Sequence, residues 1–197
     1  SEHEHFQWYR SLIVGGSRFE TPLSHVLAEA RQRFHFDGPA RYNLCISHRR
    51  RIRLNAECNR HFKPAEGAVF IRCKPEKGQL CAAQNLFVWP GIELLGCSRC
   101  GKRVRNNVVY TVKGIDEEHV KISAEGEGDA GTLTLTYQQI AELTRLSFAR
   151  TYASCQGTEF DSTLRLHDVN SKFFTRKHLF VALSRAKQAN QIDIATA

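Results

Sequence analysis

The chain has 197 residues, 42% hydrophobic and 24% charged, enough to bury one domain core with a small insert. No apolar run approaches the roughly 20 residues of a membrane-spanning helix, and no signal peptide opens the sequence. The formal net charge of +8 suits an acidic polymer such as nucleic acid, and seven cysteines without framework spacing argue for an intracellular, reducing compartment over a disulfide scaffold. Methionine is absent, even at position 1, as expected of a segment of a longer protein, and Ser1–His5 are expected to include residues foreign to it.

Residues 1–20 show no clear periodicity and are expected to be irregular. Thr21-Pro22 reads as the N-cap and first residue of an amphipathic helix to about Phe34, with Leu23, Val26, Leu27 and Ala30 as its apolar stripe. Asp37-Gly38-Pro39 breaks it. Tyr42–Ile46 reads as a short strand, and Ser47 caps a second helix running to about Phe62. That helix opens His48-Arg49-Arg50-Arg51-Ile52-Arg53. The plain reading is a solvated basic face. The functional reading is a phosphate site just after a strand, built from the Ser47 hydroxyl, free backbone N–H groups and the nearby His48 and Arg49.

Ala68–Cys73 is strand-like. From about Gln84 the texture changes to short β runs: Leu86–Trp89, Ile92–Leu95, Val104–Val112, Val120–Ser123 and Thr132–Thr136, punctuated by Pro90-Gly91, Gly101-Lys102 and the glycines between 126 and 131. Such spacing reads as a small antiparallel barrel. The expected division is therefore 1–83 and 138–197 as two parts of an α/β domain, with 84–137 as the insert.

After the insert, Gln138–Leu143 reads as a helix and Leu146–Tyr152 as a strand. Gln156-Gly157-Thr158-Glu159-Phe160-Asp161 is then a glycine turn with one amide and two carboxylates. A strand at Thr163–His167, a helix from Thr175 to about Lys187 and a strand at Gln191–Ala195 close the sheet. This array places polar residues at the carboxyl ends of parallel strands, where α/β sheets bind ligands. An arginine on the helix, Arg185, suits a polyphosphate, because its planar fork holds several oxygens and keeps its charge. Blander readings are a structural Gln-Gly turn and a salt bridge from Arg185 to Glu159 or Asp161.

The paired segments Ser154-Cys155-Gln156-Gly157-Thr158-Glu159-Phe160-Asp161 and Val181-Ala182-Leu183-Ser184-Arg185-Ala186-Lys187 resemble motifs V and VI of superfamily-1 helicases. The nearest branch is the 5′-to-3′ one, with the RecD-like and petite-integration-frequency helicases. Ser47 and Asn55 are similar to its motif IV, and Pro90–Gly96 with Asn106–Val112 looks like its barrel insert. The resemblance implies a RecA-like, P-loop NTPase-type α/β fold with a mainly parallel sheet interrupted by a small antiparallel β-barrel.

It also implies roles. Arg185 matches the arginine finger that reaches the γ-phosphate of ATP, and Glu159 the carboxylate that accepts from the ribose hydroxyl. Gln156 and Gly157 match the turn linking nucleotide state to the bound strand, and Thr151 a threonine that contacts a nucleic-acid phosphate. The family usually has His-Lys or His-Arg before its Ser-Gln-Gly, where this chain has Ala153-Ser154-Cys155. There is no Gly-x-x-x-x-Gly-Lys-Ser/Thr, and Asp116-Glu117-Glu118 lies in the insert. ATP and Mg²⁺ are therefore expected to be held mainly by an N-terminal RecA-like domain of the same protein, with single-stranded DNA, or RNA, as the track. The alternatives are a non-catalytic nucleic-acid-binding module and an RNA-virus-type helicase domain.

Two further features are weaker. Cys97-Ser98-Arg99-Cys100 supplies two of the four ligands that zinc needs, and Cys58, His61, Cys73 and Cys81 are irregularly spaced, so no metal ligand is assigned. Trp8, Trp89 and Phe87 offer rings for base stacking, although core packing is the commoner use.

Overall fold

The computed structural model describes residues 2–73, 84–97, 103–127 and 131–195. Helix α1 spans Glu2–Arg10, α2 Leu23–Arg33, strand β1 Tyr42–Cys45 and α3 His48–Phe62. The segment expected to be irregular thus opens with a helix. Its stripe is His5, Trp8 and Leu12, all buried, and a histidine in that stripe hides the period. The His5 ring Nε2 meets the Leu183 carbonyl at 3.0 Å. Trp8 is core: its ring sits edge-on to Phe34 with centroids 5.1 Å apart, and its Nε1–H donates to Glu29 at 3.0 Å.

The chain then forms β2 (Val69–Ile71), β3 (Leu86–Val88), β4 (Glu93–Gly96), β5 (Val109–Ile115), β6 (His119–Ala124), β7 (Leu133–Thr136), α4 (Tyr137–Leu143) and β8 (Thr144–Leu146). Strands β9 (Ala149–Thr151) and β10 (Leu164–Leu166), helix α5 (Arg176–Leu183) and strand β11 (Ile192–Ile194) complete it.

Two compact units result, Ser1–Arg51 with Ala149–Ala197, and Ile52–Phe148. The first holds a four-stranded, all-parallel sheet of order β11-β10-β1-β9. One face of it, with Leu44, Leu164, Leu166, Ile192 and Ile194, packs on Val26, Leu27 and Ala30 of α2 and on Leu179, Ala182 and Leu183 of α5. The crossover from β10 through α5 to a parallel β11 is the βαβ connection that such a sheet requires.

The second unit holds a curled five-stranded antiparallel sheet of order β7-β6-β5-β4-β8 and the antiparallel pair β2–β3. A register shift between Val112 and Gly114 adds bend and twist. This unit reaches further than the change of texture at Gln84, because Cys58 and Phe62 of α3 and Ile71 of β2 pack into its core.

Two strands depart from the expected spans. The run Leu146–Tyr152 divides: β8 pairs antiparallel with β4, and β9 pairs parallel with β1. Between them Ser147 donates its hydroxyl to the Glu93 carbonyl at 2.9 Å. The run Val104–Val112 starts its strand only at Val109, because Asn107 adopts a left-handed φ of 62° and turns the chain back onto Gly96. A Cβ on Gly96 would lie 2.1 Å from the Arg105 carbonyl oxygen, so this close approach requires glycine.

Candidate functional site

The segment that carries Gln156 to Asp161 crosses the parallel sheet from one edge to the other. It leaves the carboxyl end of β9 through a 3-10 turn, Tyr152–Cys155. The turn is fixed by Thr151 and Ser154: the Ser154 N–H donates to Thr151 Oγ1 at 3.3 Å and the Thr151 N–H to Ser154 Oγ at 3.1 Å. Gln156 and Gly157 follow, both exposed, with Gly157 at a left-handed φ of 79°. Glycine is needed there for its backbone and not for space, since no atom lies within 4 Å of where a Cβ would be.

The chain then runs back along β9. Arg150, 4% exposed, donates from Nη1 to Thr158 Oγ1 at 2.8 Å and lies 6.0 Å from the Phe160 ring centroid. At Phe160 it meets the end of α5. The Phe160 N–H donates to the Arg185 carbonyl at 2.8 Å, and Phe160 and Ala186 form an isolated parallel bridge. Asp161 accepts from the Tyr42 hydroxyl through Oδ1 at 3.3 Å, at the start of β1.

Arg185 therefore stands at the amino-terminal edge of the sheet. The carboxyl edge expected for it holds a different group. Nor is it on the helix: α5 ends at Leu183, Arg185 lies in the turn that follows, its N–H donating to the Ala182 carbonyl at 3.1 Å, and Ala186 bridges to Phe160. Arg185 is half-buried, and its Nε donates to the Ser184 hydroxyl at 3.3 Å. Among the described residues it forms no ion pair, and Glu159 and Asp161 are exposed. The salt bridge weighed as its plainer role is not formed. Its charge is felt nearby, since burial pushes the Cys155 thiol up to about 11 while Arg150 and Arg185 pull the other way. A thiol held that high is no nucleophile near neutral pH.

The carboxyl edge gathers Ser47, Thr151, Ser154 and Asp168. Ser47 Oγ accepts from the Arg50 N–H at 3.1 Å and so caps α3, with His48 and Arg49 exposed on its first turn. The arginine run is not a uniform solvated face, because Arg51 is 2% exposed. Asn55, further along α3, is fully buried. Thr151, expected to meet a phosphate, is 6% exposed and its hydroxyl is engaged with Ser154, so its side chain shapes the turn and is not presented to solvent.

Two residues of this edge escaped the sequence reading. Asp168 adopts φ 61° and accepts from the Ile46 N–H through Oδ2 at 2.9 Å, pinning the end of β1. His167 pairs through Nε2 with Asn43 Oδ1 at 2.9 Å, and its carbonyl accepts from the Tyr152 hydroxyl at 2.8 Å. Burial, with Arg50 and Arg165, pushes His167 down to about 4, against the pull of Asp168 and Asp193. The available signal was a His-Asp pair at the end of a strand.

Among the described residues, no group of three or more His, Cys, Asp or Glu can hold a metal ion, and no helix is long and apolar enough to cross a membrane. Cys81 and Cys100 lie outside the described residues; the Cys97 thiol donates to the Glu142 carbonyl at 3.9 Å.

A parallel sheet with a βαβ crossover, interrupted by an antiparallel unit between β1 and β9, is a RecA-like α/β architecture. The family model for the viral superfamily 1 RNA helicase core domain matches residues 92–192, and the chain belongs to that family.

Solved structures agree in fold. Bacteroides Pif1 bound to ssDNA is 15% identical, with a TM-score of 0.61 over 98% of this chain and 49% of that one. Pif1 helicase from Candida albicans is 12% identical, with a TM-score of 0.60 over 99% of this chain and 54% of that one. Pif1 from Bacteroides in complex with ADP-AlF3 and ssDNA is 17% identical, with a TM-score of 0.59 over 98% of this chain and 49% of that one. The chain spans about half the length of each. No curated protein is significantly similar to it in sequence.

Proposed function

We propose that this chain is the C-terminal motor portion of an ATP-dependent superfamily-1 DNA helicase of the 5′-to-3′ branch, and that Arg185 is its arginine finger. One observation carries the reading: Phe160 holds the Arg185 backbone at 2.8 Å while the guanidinium is left without a carboxylate partner among the described residues. A fixed, unneutralised cation at a sheet edge suits the developing charge of a transferring phosphoryl group. The exposed Glu159 carboxylate lies on the same segment, one residue before the bridge, and fits a ribose hydroxyl.

ATP and Mg²⁺ would be held mainly by an N-terminal RecA-like domain of the same protein, with Gln156 and Gly157 relaying nucleotide state. Ser47, His48 and Arg49 would hold a strand phosphate at the opposite edge, with Thr151 shaping the turn beside them. The solved neighbours with bound ssDNA favour DNA, and the family description favours RNA as the second reading. An intracellular, reducing setting goes with this reading, on seven cysteines that lack framework spacing.

The test is strand-stimulated ATP hydrolysis by the full-length protein, with and without Arg185→Ala, on DNA and RNA oligonucleotides. Hydrolysis should fall about a thousand-fold or more in the variant while strand binding survives. Equal rates would remove Arg185 from the reaction. No hydrolysis in either protein would favour the non-catalytic binding module.

A further inference from the structure

The antiparallel pair β2–β3 of the second unit carries two aromatic rings on its outer face. Phe70 and Phe87 are cross-strand partners, with ring centroids 5.0 Å apart and planes at 49°. Their neighbours on the opposite face, Ile71, Leu86 and Val88, are buried, whereas Phe70 is 48% exposed. An exposed phenylalanine alone means little. Here, however, the backbone beneath the pair is held from a third element. Asn59 of α3, 2% exposed, donates from Nδ2 to the Phe87 carbonyl at 2.8 Å and accepts at Oδ1 from the Phe87 N–H at 2.7 Å.

Lys63, four residues after Asn59, places its ammonium 5.3 Å from the centroid of the Phe87 ring. Arg72, the residue that follows β2, is exposed. The group is thus a pair of packed rings with one cation against it and a second, exposed cation two residues from Phe70 in sequence. A nucleotide offers the matching features, a flat π face and an anionic phosphate. An aliphatic protein surface would match the rings but leave the cations unanswered.

We propose that Phe70, backed by Phe87, is a stacking platform for one base of a single strand, with Lys63 and Arg72 meeting the flanking phosphates. Because the Asn59 clamp fixes the Phe87 backbone beforehand, little ordering is required when a base arrives. The platform is sequence-tolerant, since every base has a π face. It rests on the reading of this protein as a single-strand binder and adds a contact in the antiparallel unit to those assigned in the parallel one.

The experiment measures anisotropy of a labelled oligothymidylate with the full-length protein and with Phe70→Ala, Phe70→Leu and Phe70→Trp. Alanine and leucine should each weaken binding about 10-fold, and tryptophan should preserve it. An abasic strand should bind wild type and Phe70→Ala alike. Leucine matching wild type would reduce the platform to an apolar contact and overturn it. Unchanged affinity in all three variants would overturn it too, while leaving strand binding intact. If the wild type binds neither strand, the single-strand reading fails and the platform falls with it. Thermal melts of the variants should match wild type, because the replaced ring is half exposed.

Discussion

The amide of Phe160 donates to the carbonyl of Arg185 at 2.8 Å, so backbone alone joins two segments that lie 25 residues apart in sequence. The Arg185 side chain takes no part in that bond. Position and charge are thereby separable: a substitution can delete the cation without disturbing the join. Arg185→Ala should change unfolding free energy by no more than about 1 kcal/mol, since one half-buried hydrogen bond, from Nε to the Ser184 hydroxyl, is lost. Arg185→Lys should keep the charge yet recover little hydrolysis, because an ammonium lacks the planar fork. Paired thermal melts and turnover assays check both.

Glu159 is the test of the nucleotide's other end. Glu159→Gln should raise KM for ATP by about 10-fold with a smaller effect on kcat, the pattern of a lost charged hydrogen bond to a group distant from the reacting phosphate. A 2′-deoxy nucleotide that narrows the gap between wild type and variant would identify the ribose as the partner.

At the opposite edge, Ser47→Ala removes the cap of α3 and should cost about 1 kcal/mol of stability, read by chemical denaturation. Arg49→Ala should leave stability nearly unchanged. It should lower single-strand affinity and reduce the slope of log K against log salt by about 0.7, the value for one phosphate contact on a single strand.

How much of this was legible beforehand depended on where the side chains point. Arg185, Glu159 and the Gln-Gly turn stand out because they are polar residues in a fixed order between apolar runs. The parallel strands were equally visible, since Leu44, Leu164 and Ile192 sit in short apolar segments. What escaped was whatever breaks an apolar period from within. His5 fills a place in the α1 stripe that pattern reading reserves for an aliphatic residue. Leu146–Tyr152 reads as one strand because nothing in its composition records a change of partner at Ser147 and Phe148. The edge on which Arg185 stands was misjudged because a crossover helix runs antiparallel to the strands it joins, so the end of α5 returns to their amino ends.

His167 predicts a pH dependence. Its folded pKa, pushed down to about 4 from the usual 6.5, means that the unfolded chain takes up a proton first as pH falls. Its contribution is fully present above about 6.5 and is lost progressively down to about 4, amounting to roughly 3 kcal/mol across that window. His167→Asn should flatten the stability profile between these limits. Denaturation midpoints at pH 7.5 and 5 decide it; a slope as steep in the variant would assign the dependence to other groups.

Strand β1 is flanked by β9 and β10, and both follow the interruption of Ile52–Phe148 in sequence. A chain emerging from the ribosome therefore completes the antiparallel unit while β1 still has no neighbour on either side. Closing the parallel sheet must wait until Ala149 and Leu164 arrive more than 100 residues later. Long-range pairing of that kind is slow and leaves strand edges open in the meantime. Expression yield should therefore respond to synthesis rate and chaperone supply downstream of residue 148 more than to either upstream of residue 52.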